Sequence, residues 1–261
     1  MTYPSIDPVA LSIGPLQMHW YGLMYVFAFL TGWLLGRFRA SRPWSAWTAG
    51  MVDDFVTWAM LGVILGARLG YVLFYDLSAY LADPVEIFRV WNGGMSFHGG
   101  LVGVVTASWL WGRRHGMGLL DMLDFVAPLV PAGLFFGRIG NFINGELWGR
   151  ETDSFLGMVF PGAGPVPRHP SQLYEAGLEG VLLFLILWIY SSKPRPRGAV
   201  AGLFGVLYAV FRMGVEFFRV PDAQLGYLFA GWVTMGQILC LPLLAAGLWL
   251  LLRAYRGEGK A

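Results

Sequence analysis

The sequence predicts an all-α integral membrane protein with seven transmembrane helices, its N-terminus outside, its C-terminus cytoplasmic, and a small extracytoplasmic cap. Three observations carry this prediction. The 261-residue chain is 56% hydrophobic and 13% charged, whereas a soluble domain carries about 25% charged residues. Its apolar residues gather into seven long runs, and a hydrocarbon core about 30 Å thick needs about 20 such residues in helical form. Basic residues cluster after alternate runs.

The runs lie at about 18–36, 55–75, 96–112, 119–140, 171–190, 199–218 and 229–252. Lipid offers the backbone no hydrogen-bond partners, so each must be helical. The third is short and rich in glycine, and its ends are the least sharply marked. Arg37, Arg39 and Arg42 follow the first run, and Arg113 and Arg114 follow the third. Lys193, Arg195 and Arg197 follow the fifth, and Arg253, Arg256 and Lys260 follow the seventh. Basic loops stay cytoplasmic, which fixes the orientation. The net charge of +2 is thus an orientation signal and no nucleic-acid footprint. Before His19 the only charged side chain is Asp7, so no basic leader of a cleaved signal peptide is present.

Short connections make residues 1–261 one polytopic membrane domain. Two extracytoplasmic loops are candidates for the cap: 76–95, with Asp83, Pro84, Glu86 and Arg89, and 141–170, the longest and richest in Gly and Pro. Cys240, the single cysteine, lies in the last run, where a thiol reads as apolar filler.

Helix direction converts sequence position into depth. His19, Tyr21, Arg68, Ser96, His98, Arg138, Asn141, Gln172, Tyr174, Glu175, Arg212 and Glu216 all map to the outer leaflet. Ionisable groups at that depth mark function by default. Arg212 and Glu216, four residues apart, read equally as a structural ion pair. Helix glue would have no reason to avoid the inner half, however, whereas a polar cavity open outward would. Arg68, Arg138 and Arg212 suggest an anion, since guanidinium forks bind phosphate or carboxylate in pairs of charge-assisted bonds. A phospholipid head group is the abundant anion there. An arginine could also serve as a counter-ion.

Four glycines surround His98 in the stretch 92–100. Imidazole suits proton transfer near neutrality, and a histidine bonded to an interhelical carbonyl is the bland alternative. Ser96 and His98 do not form a hydrolase dyad, because residues two apart point to different helix faces. In the stretch 137–150, Arg138 and Asn141 share a face before glycines break the helix. Ser171 reads as an N-cap, with Glu175 one residue beyond the capping-box position. Asp53, Asp54, Asp121 and Asp124 read as facing cytoplasmic water. The four histidines are scattered, and neither a zinc-helix nor a P-loop pattern occurs. No metal site and no cofactor are expected.

Taken together, His98-Gly99-Gly100-Leu101, the 137–149 block, the 168–175 block and Arg212 followed by Glu216-Phe217-Phe218-Arg219 and Pro221-Asp222 resemble the prolipoprotein diacylglyceryl transferase family. The resemblance runs nearly the whole length in matching order. It implies transfer of the diacylglyceryl group of phosphatidylglycerol to the lipobox cysteine of a prolipoprotein signal peptide. A thioether forms and glycerol-1-phosphate leaves, at the outer face of the bacterial cytoplasmic membrane. The implied partners are phosphatidylglycerol, the prolipoprotein and membrane lipids, without nucleic acid. On this reading His98, Arg138 and Arg212 are catalytic. Tyr21, Arg68, Arg138, Asn141, Glu146, Gly149, Arg212 and Glu216 bind the lipid, with Glu146 and Glu216 positioning the arginines. The competing class is an outward-facing transporter or flippase for an anionic lipid, which would need polar residues reaching the inner half of the membrane.

Overall fold

The computed structural model describes residues 1–4, 6–14, 16–89, 93–221, 226–229 and 231–258. Asn92, Asp222 and Lys260, which enter the readings above, lie outside them. The chain falls into two compact units, Gly36–Met122 and Met1–Leu35 with Leu123–Ala261.

Its elements in order are strands β1 (Val9–Ile13) and β2 (Leu16–His19), then helices α1 (Trp20–Ala40), α2 (Ala49–Phe74), α3 (Leu77–Ala82) and α4 (Phe97–Arg114). They are followed by α5 (Leu119–Val126), α6 (Val130–Ile143), α7 (Ser171–Glu175), α8 (Leu183–Tyr190), α9 (Ala199–Glu216) and α10 (Met235–Glu258). A π-helical segment, Ala176–Leu182, joins α7 to α8. Among the described residues, five helical spans are long and apolar enough to cross a membrane, or six if the bent pair α5 and α6 counts as one. The chain is a mostly helical membrane protein. Leu61, Leu65, Leu69 and Leu73 form a stripe down α2, each more than 50% exposed; lipid, not water, suits such a face.

Each expected run coincides with helix, with instructive departures. A β1–β2 antiparallel hairpin precedes α1, where no element was anticipated before the first run at about residue 18. The fourth run is broken at residues 127–129 and bends by 53°. Pro128 and Pro131 explain the break, since each lacks an N–H and crowds the preceding turn. Helix α4 falls outside the spans that pass on length and apolarity, consistent with its glycine content. The last helix starts at Met235, six residues later than the sequence suggested.

In the unit Gly36–Met122, α2 packs along α4 through small residues. A Cβ at Gly70 would sit 2.7 Å from the Gly99 Cα, and one at Gly62 would sit 2.7 Å from the Gly103 carbonyl oxygen. Backbones this close need the small-residue spacing seen here, every fourth position on both helices. At the far end of the pair, Trp111 is fully buried. It stacks on Trp47 at 4.8 Å and donates its indole N–H to Asp54 at 2.8 Å.

In the other unit, Ala127, Leu183, Leu187 and Val200 form the apolar core, flanked by Tyr208 and Phe211. Asp124 caps α9, accepting the Ala201 N–H at 2.8 Å and the Gly198 N–H. It is thus a helix cap rather than a carboxylate facing water. The 141–170 segment is held by isolated bridges and by Tyr3, whose hydroxyl donates to the Phe142 carbonyl at 2.6 Å.

Candidate active site

The densest charge cluster centres on Glu175, at the C-terminal end of α7 and with no exposed surface. Arg138 of α6 reaches its Oε2 at 2.6 Å, and Arg219, just after α9, reaches its Oε1 at 2.6 Å. Arg212 of α9 lies 3.8 Å away. A second buried acid, Glu216, holds Arg212 at 2.8 Å and Arg219 at 3.5 Å, and accepts a hydrogen bond from Thr234 at 2.9 Å. Two carboxylates therefore brace three guanidiniums. Burying any of these charges alone would cost several kcal/mol, so each depends on the others.

The arginines are not sealed. Their side chains keep between 14% and 22% exposure, and Nη1 of Arg212 is buried with no hydrogen-bond partner among the described residues. A guanidinium donor without an acceptor, beside others half-committed to carboxylates, is suited to an oxyanion.

The block 137–150 wraps one side of the cluster. Asn141 accepts from Arg138 at 3.5 Å and donates to Glu146 at 2.9 Å. Gln172 donates to the Glu146 carbonyl at 2.6 Å, and Ser171 to the Leu147 carbonyl at 3.0 Å. The N-cap position before α7 is Pro170, so Ser171 anchors the loop instead of capping the helix. Leu147 has φ of +59°, a left-handed conformation that costs an ordinary side chain energy and persists where surrounding contacts impose it. Gly149 bridges to Arg219. A Cβ there would sit 2.8 Å from the His169 carbonyl and collide with that of Phe218, so only glycine fits. Arg150 then clamps the turn after α9, donating to the Arg219 carbonyl at 2.7 Å and the Glu216 carbonyl at 3.3 Å. Tyr21 packs on α6, 3.0 Å from where a Cβ on Gly140 would be, and its hydroxyl lies 3.5 Å from that of Tyr25. His169 donates or accepts at 3.1 Å with Tyr174, and burial pushes its imidazole below the ordinary histidine value.

One unit therefore gathers Tyr21, Arg138, Asn141, Glu146, Gly149, Arg212 and Glu216. Arg68 and His98 belong to the other. Arg68 is 4% exposed and its guanidinium is spent on backbone carbonyls: Ile87 at 2.9 Å, Gly94 at 3.0 Å and Arg89 at 3.3 Å, with Glu86 and Gly93 besides. All five N–H donors are used, so Arg68 pins the 76–95 loop and has none left for a phosphate. His98 is exposed near the start of α4, one turn of which is capped by Ser96 accepting the Gly99 N–H at 3.2 Å. It lines an apolar groove of about 1090 Å³ between α2 and α4, with Leu69, Leu73 and Val102.

Sequence reasoning missed Glu175, Arg219 and Arg150 as members of the cluster, and Glu179 altogether. Glu175 and Glu179 stand four apart in an otherwise apolar run, which is itself a signal of buried function.

The family model for prolipoprotein diacylglyceryl transferase matches residues 8–253. The chain belongs to the prolipoprotein diacylglyceryl transferase family. The phosphatidylglycerol–prolipoprotein diacylglyceryl transferase of Nitratidesulfovibrio vulgaris strain DP4 is 67% identical over 251 residues, covering 96% of this chain and 95% of that protein. Proteins of the same name are 61% identical in Oleidesulfovibrio alaskensis, over 99% of this chain and 97% of theirs, and 59% identical in Pseudomonas aeruginosa, over 99% and 97%. In this member of the transferase family, the arginine cluster combines four residues from three of the stretches that carry the resemblance: Arg138, Glu175, and Arg212 with Arg219.

Proposed function

We propose that the chain transfers the diacylglyceryl group of phosphatidylglycerol to the lipobox cysteine thiol of prolipoproteins, forming a thioether and releasing glycerol-1-phosphate. The observation that carries this reading is the convergence of Arg138, Arg212 and Arg219 on buried Glu175, with an unbonded Arg212 donor. On this reading the protein crosses the bacterial cytoplasmic membrane seven times, with α4 and the α5–α6 pair as spans. Its N-terminus lies outside, and the 76–95 and 141–170 segments form the extracytoplasmic cap. The site opens toward the outer leaflet, where lipid and signal peptide meet.

The chemistry follows from charge. The cysteine sulfur attacks the glyceryl carbon bonded to the phosphate ester oxygen, and that C–O bond breaks. The thiol proton is lost, and the leaving phosphate gains a second negative charge. Arg138 and Arg212 receive that charge, and preorganised donors in a dry site stabilise it far better than water would. Glu175 and Glu216 hold the guanidiniums in place beforehand, so little reorganisation accompanies the reaction. Asn141, set between Arg138 and Glu146, and Tyr21 orient the head group, while Gly149 keeps the loop close to the turn after α9. His98 accepts the thiol proton; a free thiol, with a pKa of about 8.5, needs that help. Near-normal turnover of His98→Gln would remove this role.

Intact-mass analysis of a lipobox peptide incubated with the purified protein and phosphatidylglycerol tests the reading. A diacylglyceryl mass gain is expected with the cysteine peptide and none with its serine counterpart. No gain with folded, lipid-bound protein would overturn it.

A further inference from the structure

One acid beside the cluster has no role in this mechanism. Glu179 lies four residues beyond Glu175, inside the π-helical segment, with 0% exposure. Neither of its carboxylate oxygens has a hydrogen-bond partner among the described residues. π-helical turns are uncommon and recur at functional sites; here the segment sets two acids on one side of the helix.

Glu179 feels Glu175 from its own helix, Arg138 from α6, and Arg212 and Arg219 from α9 and the turn after it. Tyr208 of α9 and Cys240 of α10 are the other titratable groups facing it, and Glu216 completes the cluster through Arg212. A buried carboxylate with no hydrogen bond is stable only by pairing with a cation or by taking a proton. The nearby cations already have carboxylate partners, at 2.6 Å for Arg138 and Arg219 and 2.8 Å for Arg212.

Charge balance then decides what a ligand does. Three arginines face Glu175 and Glu216, leaving one surplus positive charge if Glu179 is neutral and none if it is ionised. A phosphodiester anion entering the first arrangement closes it to neutrality. Entering the second, it leaves an uncompensated negative charge at a site shielded from water. We infer that a lipid phosphate bound at Arg138 and Arg212 holds Glu179 protonated, so that at alkaline pH, where Glu179 of the empty site is ionised, the cluster binds its anion together with one proton. The inference rests on the lipid-phosphate reading above. Glu179 is a positioning residue, setting the charge of the arginines without touching the reacting atoms. Its neutral form also spares the leaving phosphate a third neighbouring carboxylate charge as it becomes a dianion.

The test is calorimetric binding of short-chain phosphatidylglycerol to the full-length protein in detergent, from about pH 6 to pH 9. Wild-type affinity is expected to fall toward tenfold per pH unit on the alkaline limb. Glu179→Gln, which stays neutral at the same size, is expected to bind with a flat profile there and more tightly than wild type at the alkaline end. His98 and His169 are present in both proteins, so the difference isolates position 179. In wild type at the alkaline end, titrations in buffers of different ionisation enthalpy should report uptake of about one proton per lipid. A Glu179→Gln slope equal to wild type, or no proton uptake by wild type, would overturn the inference; the second readout decides if the variant folds poorly. Arg138→Ala separates the two claims. If it binds the lipid as wild type does, the clamp reading fails; if it loses the lipid while Glu179→Gln keeps the wild-type slope, only the proton linkage fails.

Discussion

Arg138 and Arg219 grip opposite oxygens of Glu175, each at 2.6 Å, although they come from α6 and from the turn after α9. The carboxylate is fully buried, so this pair of contacts ties two helices to a third through one side chain. Removing the charge should be costly in two ways. Breaking a buried pair by deleting one partner costs about 3–5 kcal/mol, and the freed guanidiniums lose their preorganisation. Glu175→Gln is expected to melt several degrees lower and to turn over at least ~10²-fold more slowly. Thermal unfolding alongside the transfer assay checks both; wild-type turnover would deny Glu175 its bracing role.

Arg68 should behave differently from Arg138 and Arg212. Its donors serve the carbonyls of the 76–95 segment, so Arg68→Gln should lower stability while leaving the KM for phosphatidylglycerol within about twofold. Unsatisfied buried carbonyls cost about 1–3 kcal/mol. A large rise in KM with unchanged melting would return Arg68 to the lipid site.

Gly149 faces the Phe218 and His169 carbonyls too closely for any Cβ. Gly149→Ala should part the 141–170 segment from the turn carrying Arg219, at a cost of about 1–3 kcal/mol and with lost activity. Protease susceptibility in residues 146–151 is the direct readout, and an unchanged pattern would argue against the close approach.

His169 is held below the ordinary histidine value by burial, so the unfolded chain binds its proton more readily. Stability from this group is complete above the unfolded value, about 6.5, and is lost as pH falls through the interval below it. Melting temperatures measured through that interval should decline less steeply in His169→Phe than in wild type.

Much of the site was legible because intramembrane charge is conspicuous. The Arg212–Glu216 spacing announces an ion pair, and the pair forms at 2.8 Å. Arg138 and Asn141 also meet as their shared face suggested, whereas the contact of Asn141 with Glu146 was not anticipated. Glu175 was obscured because Ser171 mimics an N-cap, drawing attention to a helix start that Pro170 in fact occupies. Arg68 was legible as a charge at membrane depth, but depth alone cannot distinguish a guanidinium facing a ligand from one meeting backbone carbonyls 18 to 26 residues away. The hairpin was readable in retrospect: Gly14, at φ +59°, supplies its turn, but the short strands merge into the apolar run of α1. Likewise, Pro128 and Pro131 mark the bend in the fourth apolar run, masked by uninterrupted hydropathy.

The most direct measurement of the phosphate clamp is the single-turnover rate of peptide diacylglycerylation by Arg138→Ala, Arg212→Ala and the corresponding lysine variants, each verified as folded by its melting curve. Loss of one fork should slow the step by ~10²–10³, and lysine, which keeps charge without the paired geometry, should restore only part of it. Alanine variants that transfer at near wild-type rates would contradict the clamp, and full rescue by lysine at both positions would replace it with diffuse electrostatic attraction.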